Sequence, residues 1–344
     1  MKTKAQHPEA SARLRAGVVG LAFSLLLAGC ARESEPPASG KMPAGGRLLA
    51  SIPFSGRPFT LADTGLEMLP VAAGSFQLGS PAGETGRTPA EGPQTAVTIS
   101  RPFWLGRTAV THGQWKAVMG TDLATQAQKA FGGDTALARA LASTDDAVPM
   151  HLVNWREALA FCEKLNVLAR AEGTLPAGYE FTLPTEAQWE YACRADTSDA
   201  TYAGPVLVLA DGSAPVLDVI AWHAGNSAFG YQGPDWNAAL PGKHPAGERA
   251  GPHPVGLKEP NAWGFCDMLG NVYQWCRDPA ADALPGGRVT DPVGPKSGSD
   301  RIVRGGSWHS EPALCRSAYR AWNTPDGRTQ FIGFRIALAP KLAR

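Results

Sequence analysis

The chain has 344 residues, enough for one large domain or two smaller ones. Hydrophobic residues make up 44% and charged residues 18%, and the formal net charge of +1 leaves no basic field for nucleic acid and no acidic field for a cationic partner. With 39 glycines and 29 prolines, much of the chain must be loop, pinned by 10 tryptophans.

The N-terminus reads as a targeting segment. Lys2, Lys4, Arg13 and Arg15 precede an apolar run over residues 16–28 that is too short to span a bilayer and suits a signal sequence. The run ends "LLLAGC", which resembles a bacterial lipobox, with Ala28 and Gly29 before Cys30. The resemblance implies removal of residues 1–29 and lipidation of Cys30. The acyl chains would hold the protein at the membrane, each buried methylene contributing about 0.8 kcal/mol. Ala31 carries no inner-membrane retention signal, so the expected location is the bacterial cell envelope, at the outer membrane and facing the periplasm. Residues 30–61, rich in Pro, Gly, Ser and charge, read as a flexible tether. Residues 62–340 show no repeat and no second composition shift, and are expected to form one domain.

Within that domain "MLPVAAGSFQLGS" suggests a hairpin around Ala73 and Gly74, and "TAVTIS" alternates as a strand does. Three helix starts are marked by capping residues: Thr111 before Gln114, Asn154 before Glu157, and Thr185 before Gln188. Gly120 and Gly173 are the natural stops of the first two. Cys162 and Cys193 fall on apolar faces of the second and third, as inert buried thiols. Residues 197–262 have no sustained period and read as a long loop region. Export implies an oxidising compartment. After Cys30 the remaining cysteines are Cys162, Cys193, Cys266, Cys276 and Cys315, an odd number, so at least one stays unpaired within the chain.

Conventional catalytic motifs are absent: no HExxH, CxxC, Walker loop or GxSxG. His112, His151, His223, His244, His253 and His309 are scattered singly. A set of ordered motifs stands out instead: "GSFQLGS", "LPTEAQWEYA", "DMLGNVYQW", "RGGSW" and "GFR". In this order they resemble the formylglycine-generating enzyme, or sulfatase-modifying factor, family over about residues 66–338. The resemblance implies a single α+β domain of the C-type-lectin-like kind, low in regular structure and braced by calcium. It also implies oxidation of a substrate cysteine by dioxygen at a copper(I) ion held by two cysteines, a soft ion on soft ligands.

In the true oxidases the site segment runs Gly-Gly-Ser-aromatic-x-Cys-x-x-x-x-Cys. Here Gly305, Gly306, Ser307 and Trp308 match, but the first cysteine position is Ser310 and the second is Cys315. A serine hydroxyl is a poor copper(I) ligand, so one thiolate is missing. His309 could supply a nitrogen in its place. Tyr273 stands where the oxidases carry a tryptophan. Cys315 could instead bridge to Cys276, a link worth about 3–4 kcal/mol in the chain-entropy model. For calcium, the resemblance implies Asp267, Gly270, Val272 and Gln274 at one site, and Asn226 and Ser227 at a second. Oxygen donors suit a hard cation, although Asp267 and Asn271 could simply cap turns. Arg304, Arg316, Arg320 and Arg335 could clamp a carboxylate or a peptide; the preferred reading pairs them internally with Glu186, Glu190 and Asp326. Two functions follow as expectations: a binding or scaffold role toward an exported protein or peptide with thiol oxidation lost, or an oxidative maturation enzyme.

Overall fold

The structure, a computed structural model, describes residues 56–132, 145–210, 213–234, 236 and 249–342. The leader, Cys30, most of the tether and His244 lie outside the described residues. The fold is α+β, with short curled sheets and few helices. Strands β1 (Phe59–Leu61), β2 (Leu66–Val71), β5 (Phe103–Gly106), β12 (Ala337–Pro340) and β6 (Tyr179–Thr182) form a five-stranded sheet in the order β1-β2-β5-β12-β6. β1 thus adds residues 59–61 to the sheet, ahead of position 62.

A four-stranded sheet runs β10 (Arg320–Asn323), β9 (Arg301–Arg304), β7 (Tyr273–Pro279), β11 (Ile332–Gly333), with β11 parallel to β7. The third sheet holds β3 (Gly74–Leu78), β4 (Thr95–Ile99) and β8 (Arg288–Thr290). The expected hairpin around Gly74 does not form. β2 pairs with β1 and β5, whereas β3 pairs with β4, so the chain changes sheets at Ala72 and Ala73. Gly74 is needed at that crossing: a Cβ there would lie 2.2 Å from the Tyr191 hydroxyl.

The helices follow their capping signals. In α1 (His112–Met119) the Thr111 hydroxyl accepts the Gln114 N–H at 3.3 Å, and the Gln114 side-chain Oε1 accepts the Thr111 N–H at 3.0 Å. Gly120 ends it in the left-handed conformation, φ 72°. A helix the motifs did not mark, α2 (Leu123–Phe131), follows with Asp122 as its cap. α3 (Trp155–Ala171) is capped by Asn154 and α4 (Glu186–Arg194) by Thr185; a short α5 (Pro215–Ile220) interrupts the long loop region. Each such cap contributes about 1 kcal/mol.

One core gathers between α1, α3 and the five-stranded sheet, where Trp115 stacks on Phe161 and Phe334 meets both edge-on. A second lies under α4, around Trp189, Phe265 and Leu269. Among the described residues no helix is long and apolar enough to cross a membrane.

Candidate functional site

The site segment leaves β9 at Arg304 through two glycines, φ 98° at Gly305 and 80° at Gly306. Both are required by close approach as well as by φ. A Cβ on Gly305 would lie 2.5 Å from the Met268 carbonyl oxygen, and one on Gly306 would lie 2.6 Å from the Cys315 sulfur. The tight passage delivers Ser307 to Ser310 as a turn closed by the Ser310 N–H on the Ser307 carbonyl at 3.0 Å.

Inside that turn the hydroxyls converge. The Ser310 Oγ accepts the Ser307 N–H at 3.0 Å, lies 3.1 Å from the Ser307 Oγ, and donates to the Tyr273 hydroxyl oxygen at 3.2 Å. Ser307, Ser310 and Tyr273 are all buried. Tyr319, which the motif reading did not single out, faces Tyr273 through its phenol; burial, then that neighbour, pushes the Tyr273 phenol well above its ordinary value. The His309 N–H donates to the Ser307 Oγ at 3.3 Å, and its ring stacks on Phe331, centroids 4.9 Å apart. Trp308 is buried beneath them, its backbone N–H on the Asn271 carbonyl at 2.8 Å.

Cys315 is set apart from Ser310. Its sulfur lies against the Gly306 backbone, where a Cβ would fall 2.6 Å from it, and it makes no hydrogen bond to Ser310. Burial pushes the thiol up to about 12, so it stays protonated. A single protonated sulfur and neutral hydroxyls do not fit copper(I), and His309 does not complete the set. The expected bridge from Cys276 to Cys315 is also not formed. All five described cysteines are free and buried; Cys276 sits within β7 and Cys315 behind the glycine turn. Cys162 and Cys193 are the inert core thiols expected, both pushed up by burial.

Of the residues suggested for calcium, Gln274 and the Asp267 main chain serve another cation, Arg335. The Gln274 side-chain Oε1 accepts the Arg335 Nε–H and the Trp189 Nε1–H, each at 2.7 Å. Arg335 donates its remaining hydrogens to the main-chain oxygens of Gly106, Arg107, Cys266 and Asp267 at 2.7–3.1 Å. Burial lowers this guanidinium to about 10, still charged at neutral pH. The Asp267 carboxylate is turned to the Gly256 N–H at 2.7 Å. The glutamine oxygen and the carboxylate therefore do not converge, and with Arg335 already among the acceptors the set does not fit calcium. At the second place Asn226 braces a turn: its oxygen accepts the His223 N–H at 2.8 Å, and its amide donates to Asp218 and the Ala221 carbonyl. The Ser227 carbonyl takes the His253 Nε2–H at 2.8 Å. Among the described residues no three His, Cys, Asp or Glu side chains gather as a metal site would need.

The arginines are internal, as preferred. Arg320 forks onto Glu186 at 2.7 and 2.9 Å, Arg304 contacts Glu190 and lies 3.4 Å from Glu186, and Arg194 reaches Glu190 at 2.9 Å. Arg316 forks onto Glu91 at 2.7 Å and also contacts Glu84. Asp326 does not join them; it pairs with Arg156 at the surface, 2.8 Å. Burial alone would raise the Glu186 carboxyl, but Arg320 and Arg304 hold it below its ordinary value.

Residues 57–340 match the family model described as the sulfatase-modifying factor enzyme 1-like domain. The chain belongs to this family. It is 28% identical to the formylglycine-generating enzyme of Mus musculus over 95% of this chain and 89% of that protein. Among solved structures it is similar to variable protein 1 of Treponema denticola, with a TM-score of 0.60 and 27% identity, and to PvdO of Pseudomonas aeruginosa, with a TM-score of 0.60 and 26% identity. Each covers 82% of this chain and 98% of the other. The formylglycine-generating-enzyme fold is thus established for this family member, and with it a lineage that includes oxidative enzymes.

Proposed function

We propose that this family member is an envelope lipoprotein, anchored through Cys30, whose domain binds an exported peptide or protein and has lost copper-dependent thiol oxidation. The observation that carries the reading is the first cysteine position. Ser310 occupies it and spends its hydroxyl on Ser307 and Tyr273. The protonated, inward-facing Cys315 adds support, since a thiol without a partner thiolate does not retain a cuprous ion.

The test offers the full chain copper(I) and a peptide bearing Cys-x-Pro-x-Arg, then weighs the peptide by mass spectrometry. An unchanged cysteine mass is expected. A mass loss matching the aldehyde, abolished by Cys315→Ala, would overturn the reading. For the anchor, Cys30→Ser should move the protein from the membrane to the soluble periplasmic fraction.

A second reading is favoured by one observation: Ser307, Ser310, Tyr273 and Tyr319 form a buried hydroxyl cluster at the family's reactive position. On that reading the domain is an oxidative maturation enzyme that acts on an exported peptide without the two-cysteine copper site. Oxygen uptake in the presence of a peptide pool from the envelope, lost in Ser307→Ala, would distinguish it from the binding role.

A further inference from the structure

His151 lies between β5 and α3 in sequence, and its side chain is fully buried. Its Nδ1 sits 3.0 Å from the Pro149 carbonyl oxygen. A carbonyl only accepts, so Nδ1 carries the hydrogen and Nε2 presents a lone pair. That Nε2 has no hydrogen-bond partner. Burial pushes the imidazole down to about 3, so it remains a neutral acceptor across the physiological range. An unpaired buried acceptor costs stability, and a ligand that brings a donor recovers it.

His151 lines a cavity of about 400 Å³ together with Val148, Tyr231, Trp236, His253 and Leu257. The size is that of a small-molecule pocket. Trp236 meets His151 edge-on, centroids 4.9 Å apart at 75°, and Tyr231 meets His253 edge-on at 5.3 Å. His253 is itself held flat on Trp222 at 3.6 Å, interplanar angle 5°. Two glycines let these rings approach the backbone. A Cβ on Gly233 would fall 2.4 Å from the Tyr231 hydroxyl, and one on Gly251 would fall 2.2 Å from that hydroxyl and 2.7 Å from Trp236 Cδ1. Asp145, the charged lining residue, is exposed at the rim and gives Oδ1 to the Ala147 N–H at 2.8 Å. Among the described residues no other charged side chain lines the cavity to balance a charged ligand.

We propose that this cavity binds a neutral aromatic ring bearing one N–H or O–H donor, with the donor on His151 Nε2 and the ring among Tyr231, Trp236 and His253. Rings on rings give edge and offset contacts that an aliphatic ligand cannot make. The chemistry is shared by free indoles or phenols and by a Trp or Tyr side chain of an exported peptide. The cavity is linked to the hydroxyl cluster through Asn271 and Trp308. His253 pairs with the Asn271 side chain in both directions at 3.0 Å, and the Asn271 carbonyl takes the Trp308 N–H. The proposal does not depend on any chemistry at that cluster.

Calorimetric titration of the full chain with 3-methylindole and with 1,3-dimethylindole tests it, since the two differ by the donor hydrogen. About tenfold tighter binding of 3-methylindole is expected, the scale of one net hydrogen bond. The His151 Nε2 resonance should shift on binding, and His151→Phe, which keeps a ring but no acceptor, should erase the preference. No binding of either compound, equal affinities, or a preference that survives His151→Phe overturns the proposal. If that variant fails to fold, the two-ligand comparison on the unaltered chain still decides. A blocked Gly-Trp-Gly peptide separates the sources: binding at least as tight as 3-methylindole supports a peptide side chain, and binding of the free compound alone supports a small molecule.

Discussion

Two buried polar regions meet the four-stranded sheet, one through β9 and β10 and the other through Tyr273 of β7, and they are built on opposite principles. Under α4, full charges interlock: Arg304, Arg320 and Arg194 with Glu186 and Glu190, and Arg316 with Glu91 and Glu84. Around Ser310 the groups are neutral hydroxyls and phenols. Charges in a low-dielectric interior demand complete partnering, because removal of one leaves the other stranded. Neutral hydroxyls tolerate a missing partner at a cost nearer that of a single hydrogen bond. The charged lattice therefore ties β9, β10 and α4 together, while the hydroxyl cluster is free to vary. A cysteine position can become serine there without loss of the fold.

The largest expected effect lies in the lattice. Arg304→Met removes one of the two arginines on Glu190, leaving Arg194, and also removes the donors to the Ser317 and Tyr319 carbonyls. Urea unfolding should show a loss of about 3–5 kcal/mol. A change below about 1 kcal/mol would mean the lattice is not the structural tie described.

An intermediate effect is expected at the lattice's edge. Asp278 is buried within β7, and burial, with Glu186 next, raises its carboxyl to about 7 from the ordinary 3.8. The folded state therefore binds a proton that the unfolded chain has released between those values. Stability contributed by this group is full below about pH 4 and is lost as the pH rises through about 7. Asp278→Asn keeps an oxygen for the Glu186 N–H, which Asp278 accepts at 2.9 Å. It should flatten the decline in stability from pH 4 to 7 by on the order of 2–4 kcal/mol. Denaturation midpoints of both proteins across that range check it, and an unchanged slope would count against it.

The smallest effect belongs to the hydroxyl cluster. Tyr273→Phe removes the acceptor for Ser310 but leaves the ring packed, and should cost about 0.5–1.5 kcal/mol by the same unfolding measurement. A loss matching that of Arg304→Met would erase the distinction between the two regions.

Local signals were well legible. Thr111, Asn154 and Thr185 start the helices their spacing predicts, because the cap bond closes within four residues, as a full capping box at Thr111 and Thr185. α2 carries the same kind of signal, Asp122 before and Gly132 after, and its inner face sets Leu123 and Ala127 into the core. The hairpin reading failed. A turn-like pair between two alternating runs does not say which sheet each run joins, and the choice came from β5 and β4 as partners.

At the site, the motif order was enough to place Ser307, Ser310, Tyr273 and Cys315 in one neighbourhood, and the Gly305–Gly306 step was readable as a tight passage. Composition and motif thus determined the family and the α+β character, with a serine at position 310. Only the tertiary structure decided that Cys315 turns inward behind the glycines, that Tyr319 joins the hydroxyls, that Gln274 serves Arg335, and that His151 keeps an unpaired nitrogen. Each of these is a matter of which groups face one another across segments tens to hundreds of residues apart. Side-chain direction over such separations is set by packing, which no local pattern of residue types encodes.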